Sequence, residues 1–150
     1  MSISRLMFCA LSTVVTFTYF SYVHAAESQL TIPRIQGGPS LDDFKDMQTN
    51  TVLARSMGRV ENFVQRTPYD GQLSAQLTET YFGYDQENIY VVFLAFDTNP
   101  ELIRANLSPR ENVGQDDHVG FMIDTFNDQR SAFSFYSNPR GVQLDMRWTE

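Results

Sequence analysis

From Leu77 onward, apolar residues come in short runs separated by clusters rich in Asn, Asp, Pro and Gly. Thr78 to Tyr84 reads as a strand, the polar turn Asp85-Gln86-Glu87-Asn88 follows, and Ile89-Tyr90-Val91-Val92-Phe93-Leu94-Ala95-Phe96 comes next. That second run is β-branched and aromatic, and too short for a capped, buried helix. It predicts a strand buried on both faces, paired with its predecessor in an antiparallel hairpin. Asn99-Pro100 sets a capping residue before a proline, which predicts a helical turn or two over Glu101 to Ala105. Val119 to Asp124, Ala132 to Ser137 and Val142 to Trp148 read as three more strands, joined by the turn-like Phe126-Asn127-Asp128-Gln129-Arg130 and Asn138-Pro139-Arg140-Gly141. In the last strand Val142, Leu144, Met146 and Trp148 share one face, expected to be core. Gln143, Asp145 and Arg147 share the other, expected to be wet or functional.

Upstream the pattern is weaker. Leu30 to Leu53 is turn-rich, and Ser40 is placed to cap a short helix at Leu41-Asp42-Asp43-Phe44, whose acids suit its positive end. Val60 to Arg66 reads as a strand and Thr67-Pro68-Tyr69-Asp70-Gly71 as a turn. Short strands without a long helical pattern predict an all-β domain built as an antiparallel sandwich or barrel. The strands are few for a sandwich. The expectation is therefore a fold incomplete at its C-terminus, with an exposed sheet edge that invites pairing with other chains and lowers solubility.

The first residues follow a different pattern. Arg5 is positive, Leu6 to Phe20 is uncharged, and Val23-His24-Ala25-Ala26 supplies small residues ahead of Glu27. This order predicts a secretory signal peptide over residues 1–25, cleaved after Ala25 or, alternatively, Ala26. Ser12, Thr13, Thr16 and Thr18 dilute the segment relative to a membrane-spanning helix. Cleavage removes Cys9, the one cysteine, so the exported domain of residues 26–150 has no disulfide and no thiol chemistry. It also removes Arg5, which makes the remainder one unit more negative than the −7 of the whole chain. Such acidity argues against nucleic acid, whose phosphates call for Lys and Arg.

Candidate chemistry is sparse. The exported domain holds one histidine, His118, and no cysteine, which excludes the usual zinc sites. His118 lies at a strand start beside Asp116 and Asp117 and reads as a surface histidine. No serine sits in a nucleophile elbow. Asp116, Asp117, Asp124, Asp128 and Asp145 are candidates for a hydrolytic carboxylate pair, yet most fall in turns or at strand ends, where aspartate solvates a loop. The same oxygens suit a structural calcium, with Asp116 and Asp117 as its ligands, and no other cofactor is expected. Aromatic side chains are plentiful. Tyr136 and Trp148, near strand ends, are candidates for stacking on sugar rings, with Arg130 bonding hydroxyls.

Several ordered blocks carry a resemblance. They are Phe63-Val64-Gln65-Arg66, Tyr84-Asp85-x-Glu87-Asn88-Ile89-Tyr90-Val91, Asp97-x-Asn99-Pro100, Asp116-Asp117-x-Val119-Gly120, Asp124-Thr125-Phe126-Asn127-Asp128-Gln129-Arg130 and Asn138-Pro139-x-Gly141-Val142-Gln143. From about Ile32 to Glu150 the chain resembles the N-terminal module of bacterial exported proteins. That module is similar to family 9 carbohydrate-binding modules, and an outer-membrane β-barrel usually follows it. The resemblance implies a jelly-roll-like β-sandwich, an envelope location in periplasm or outer membrane, an oligo- or polysaccharide partner, and a role in polysaccharide breakdown or uptake. Sugar-binding members carry a Trp where Gly114 stands here and a Glu where Gly120 stands; an Arg often occupies the place of Tyr136. Two other readings accompany the sugar binder: a structural or gating periplasmic domain of an outer-membrane barrel, and part of a glycoside hydrolase.

Overall fold

The computed structural model describes residues 29–150, so the expected signal peptide and its cleavage site lie outside the described residues. The fold is all-β. Among the described residues six strands form two antiparallel sheets of three, each a meander in chain order. The first joins β1 (Gly58–Val60), β2 (Thr78–Tyr84) and β3 (Ile89–Ala95); the second joins β4 (Val119–Ile123), β5 (Ser131–Ser137) and β6 (Gln143–Thr149). Consecutive order within each sheet means that these six strands do not themselves draw a jelly-roll winding.

The β2–β3 hairpin forms as the pattern predicts, with Tyr84 opposite Ile89 and Thr78 opposite Ala95. Its turn is closed by Asp85, whose carboxylate accepts from the Glu87 and Asn88 N–H groups and from the Tyr90 hydroxyl. One face of the hairpin carries the core. Tyr81 and Leu94 are buried there with Ile35, Phe44, Ala54 and Met57. Phe44 packs on Tyr81 at 5.1 Å between ring centres. Ile35 lies across Gly83, where a Cβ would come within 2.8 Å of its Cδ1. Glycine at 83 is thus what lets the 33–35 segment lie down on the sheet.

Short helical turns bring that cover into place. Leu41–Met47 is a 3-10 segment broken at Lys45 (ψ 145) and Asp46 (φ 57), and α1 spans Val52–Ser56. Ser40 does start the first turn as expected, but its hydroxyl and N–H donate to the Asp43 carboxylate, at 2.9 and 2.7 Å. Thr51 donates to the same carboxylate and also caps α1 by accepting from the Ala54 N–H. These bonds hold Asp43 below the usual carboxylate range, the Ser40 N–H contributing most.

Three expectations need correction. The strand expected over Val60 to Arg66 ends at Val60, because Asn62 turns left-handed (φ 62). Residues 63–65 instead form a small loop ladder with 72–74, closed around Gly71 (φ 77). β3 is not buried on both faces: only Leu94 is fully buried, and Ile89 is 55% exposed, because β3 is a sheet margin. The helix expected over Glu101 to Ala105 is a single 3-10 turn, Pro100–Leu102. The Asn99 amide bonds Thr98 rather than capping the turn. Beyond Ile103 the chain is drawn away from helix, since the Arg104 and Asn106 N–H groups donate to Asp117 and Asp116 at 2.8 and 3.0 Å.

Candidate functional site

The second sheet presents the surface that matters most. Alternation places Gly120 and Met122 of β4, Ala132, Ser134 and Tyr136 of β5, and Leu144, Met146 and Trp148 of β6 on one face. The alternation of β6 is therefore as read from sequence, but its apolar side is not wholly core. Burial declines along the strand: Val142 is buried, Leu144 half-buried, and Met146 and Trp148 are 47% and 49% exposed. Met122 beside them is 58% exposed. The opposite face points Phe121 and Phe135 across the space toward Val91 and Phe93 of the first sheet, where they line a cleft of about 440 Å³. Phe121 and Phe135 stack at 5.3 Å.

Trp148 and Tyr136 occupy opposite ends of the exposed face. Trp148 stands opposite Ala132, and Tyr136 is four residues further along β5, about 14 Å away at the usual strand rise. Arg130 directly precedes β5, where its carbonyl accepts from the Glu150 N–H; by alternation it joins the Trp148 end. The structure thus groups Trp148 with Arg130 and leaves Tyr136 apart. Tyr136 is half-buried. Its ring lies over Gly120 and meets His118 edge to face at 5.5 Å. A Cβ at position 120 would stand 2.3 Å from the Tyr136 ring and 2.8 Å from the Phe135 carbonyl. Gly120 and Tyr136, two separate departures from the family pattern in sequence, are one paired arrangement in space. Gly114, the third, has open space around it.

Asp116 and Asp117 lie off this face and act as fasteners. The Asp116 carboxylate accepts the Asn106 N–H, the Asn106 side-chain amide and the Asn138 amide, at 3.0, 2.6 and 2.8 Å. Asn138 is itself buried, and its carbonyl oxygen accepts from the Arg140 and Val142 N–H groups. This network ties the 104–106 segment, the start of β4 and the β5–β6 turn together. The Asn106 N–H, then the Asn138 amide, hold Asp116 below the usual carboxylate range. Asp117 accepts from the Arg104 N–H and donates its own N–H to the Arg104 carbonyl. A calcium at Asp116 and Asp117 has to displace these N–H donors, and among the described residues no cluster of three acidic, His or Cys groups completes a ligand set. His118 is exposed, as expected, with Nδ1 2.9 Å from the Asp116 carbonyl.

No family model matches the sequence, and neither the curated proteins nor the solved structures return a match. The resemblance to family 9 modules rests on the sequence blocks alone.

Sequence reasoning missed the Asn106–Asp116–Asn138 network, because its members are far apart in the chain and only folding brings them together. It also missed Arg110, which reaches from a loop to Gln143 at 2.6 Å and to Asp145. Nothing local marks Arg110. For Met146 the alternation is legible in the sequence but points to core, whereas the structure leaves it 47% exposed; Met122 carries no such reading.

Proposed function

We propose that this chain is a non-catalytic carbohydrate-binding-like module of an exported bacterial envelope protein, and that the Trp148 end of the β4–β6 face holds its glycan. The observation that carries this reading is Trp148 itself: a large aromatic ring half exposed on the sheet, opposite the small Ala132, with Arg130 at the same end. An indole face stacks on the apolar face of a pyranose, and a guanidinium supplies donors for hydroxyls. The family-like blocks and the leader pattern support the envelope assignment. Calorimetric titration with soluble oligosaccharides of several glycan classes tests it. Heat is expected with at least one class and is lost in Trp148→Ala; no heat with any class ends the reading.

One observation favours a second reading, a structural or gating domain beside an outer-membrane barrel. Tyr136 already fills the place above Gly120 where the family's polar anchors would project. On that reading the same titrations are silent and the exposed face meets protein instead.

A further inference from the structure

Between the two sheets lies a second cavity, of about 480 Å³, which meets the apolar cleft at Phe93, Val119 and Ser137. The Thr78–Ala95 pair of the first sheet and the Val119–Ser137 pair of the second both line it. Phe93, Phe96, Ile103 and Val119 supply apolar walls. A cavity of this size with apolar walls and a few convergent polar groups is the usual form of a small-molecule site.

The open polar groups here are of one kind. Asp97 spends Oδ1 on the Asn99 N–H at 2.7 Å, and Asp117 spends Oδ2 on the Arg104 N–H at 2.8 Å. Each carboxylate keeps one oxygen without a partner among the described residues. Neither is in an ion pair there, and no lysine or arginine lines the cavity. Gln76 donates its amide to Thr98 at 2.8 Å and keeps its carbonyl oxygen. His118 Nδ1 lies 2.9 Å from the Asp116 carbonyl, which can only accept, so Nδ1 carries the proton and Nε2 of the neutral ring is an acceptor. Thr80 pairs with Phe93 and shares its face of the first sheet. It is wholly buried, and its hydroxyl is the one buried side-chain polar atom among the described residues with no hydrogen-bond partner. A wall finished for packing does not leave polar groups open in this way.

These groups select the guest. An apolar one strands the carboxylates, and an anion meets like charge. A cation with N–H donors satisfies them, and the rings of Phe93 and Phe96 favour its charge. Beyond Phe93 the apolar cleft, where Phe121 and Phe135 stack at 5.3 Å, has room for the rest of such a molecule.

We propose that this cavity binds an organic amine with an apolar body, its ammonium held at Asp97 and Asp117 and its tail directed past Phe93 into the apolar cleft. This stands on the space between the sheets and not on the saccharide reading of the opposite face.

Calorimetric titration of the chain with n-octylamine at neutral pH tests it, with 1-octanol and octanoate as neutral and anionic probes of matched length. Octylamine is expected to bind saturably and about tenfold more tightly than octanol, with octanoate weaker than either. Asp97→Asn and Asp117→Asn each keep a side-chain oxygen for the Asn99 and Arg104 N–H groups, so thermal melts close to wild type are expected. In each, octylamine affinity falls about tenfold while octanol affinity holds. Butylamine buries less apolar surface and is expected to bind more weakly than octylamine. The proposal is overturned by an absence of saturable heat with octylamine, or by octanol, octanoate or butylamine binding as tightly as octylamine. Octylamine affinity unchanged in both Asn variants overturns it equally.

Discussion

The two sheets have the same strand count and the same meander order, yet they are finished differently. The first is covered on one face by the 33–57 segment, so Tyr81, Leu94 and Phe44 meet in a buried cluster. The second leaves Met122, Met146 and Trp148 half exposed on one face, and polar bonds anchor one of its ends: Asn106, Asp116 and Asn138 in a buried network, and Arg110 reaching to Gln143 and Asp145. Apolar burial is non-directional and holds the first sheet. The polar network is directional and fixes where the exposed face of the second sheet sits. A packed face serves stability; a half-exposed aromatic face is available for contact.

This contrast can be broken by mutation. Phe44→Ala removes a buried ring from the first sheet's core and is expected to cost about 4 kcal/mol in urea unfolding, whereas Trp148→Ala should cost less than about 1 kcal/mol. Equal costs would erase the distinction between covered and exposed faces. Next comes the polar network. Asn138→Ala leaves buried partners unsatisfied and should cost about 3 kcal/mol, read by the same unfolding curves. A smaller effect, about 2 kcal/mol, is expected for Gly120→Ala, which drives a Cβ into the Tyr136 ring. Combined with Tyr136→Ala, the loss should be less than the sum of the two single losses, since the clash then falls mainly on the Phe135 carbonyl.

The mildest test is acid. Asp43 and Asp85 beside the first sheet, and Asp116 and Asp124 beside the second, are all held below the ordinary value of 3.8 by N–H donors. A carboxyl with a depressed folded value stabilises the fold fully above its unfolded value and loses that contribution as pH falls through the folded one. Thermal midpoints should therefore be flat with respect to these groups above pH 5 or so and decline below about pH 4. In Asp116→Asn the acid decline should be shallower.

Much of the fold could be read from the chain. β2, β4, β5 and β6 fall within a residue or two of the expected runs, because period-two alternation and turn residues are local signals. What failed was non-local. Val60 to Arg66 has strand composition, but the left-handed Asn62 and the ladder of 63–65 with 72–74 redirect it. The helix after Pro100 stops where two aspartates, ten and thirteen residues downstream of the N–H groups they bind, draw the chain away. For the candidate site, Trp148, Arg130 and Tyr136 were identifiable by type and place in the strand. Their grouping was not, since it depends on register between β5 and β6. Nor could sequence show that Gly120 exists to admit the Tyr136 ring.

Trp148 is the chain's one tryptophan, so its emission reports on the exposed face with no background from elsewhere. The most direct measurement is an intrinsic fluorescence titration of the folded chain with oligosaccharides of several glycan classes. The account predicts a solvent-exposed, red-shifted spectrum that moves to the blue and saturates with one glycan class, with no such response in Arg130→Ala at the same ligand concentrations. An emission that stays unmoved by every class would contradict the claim that this face is a saccharide surface.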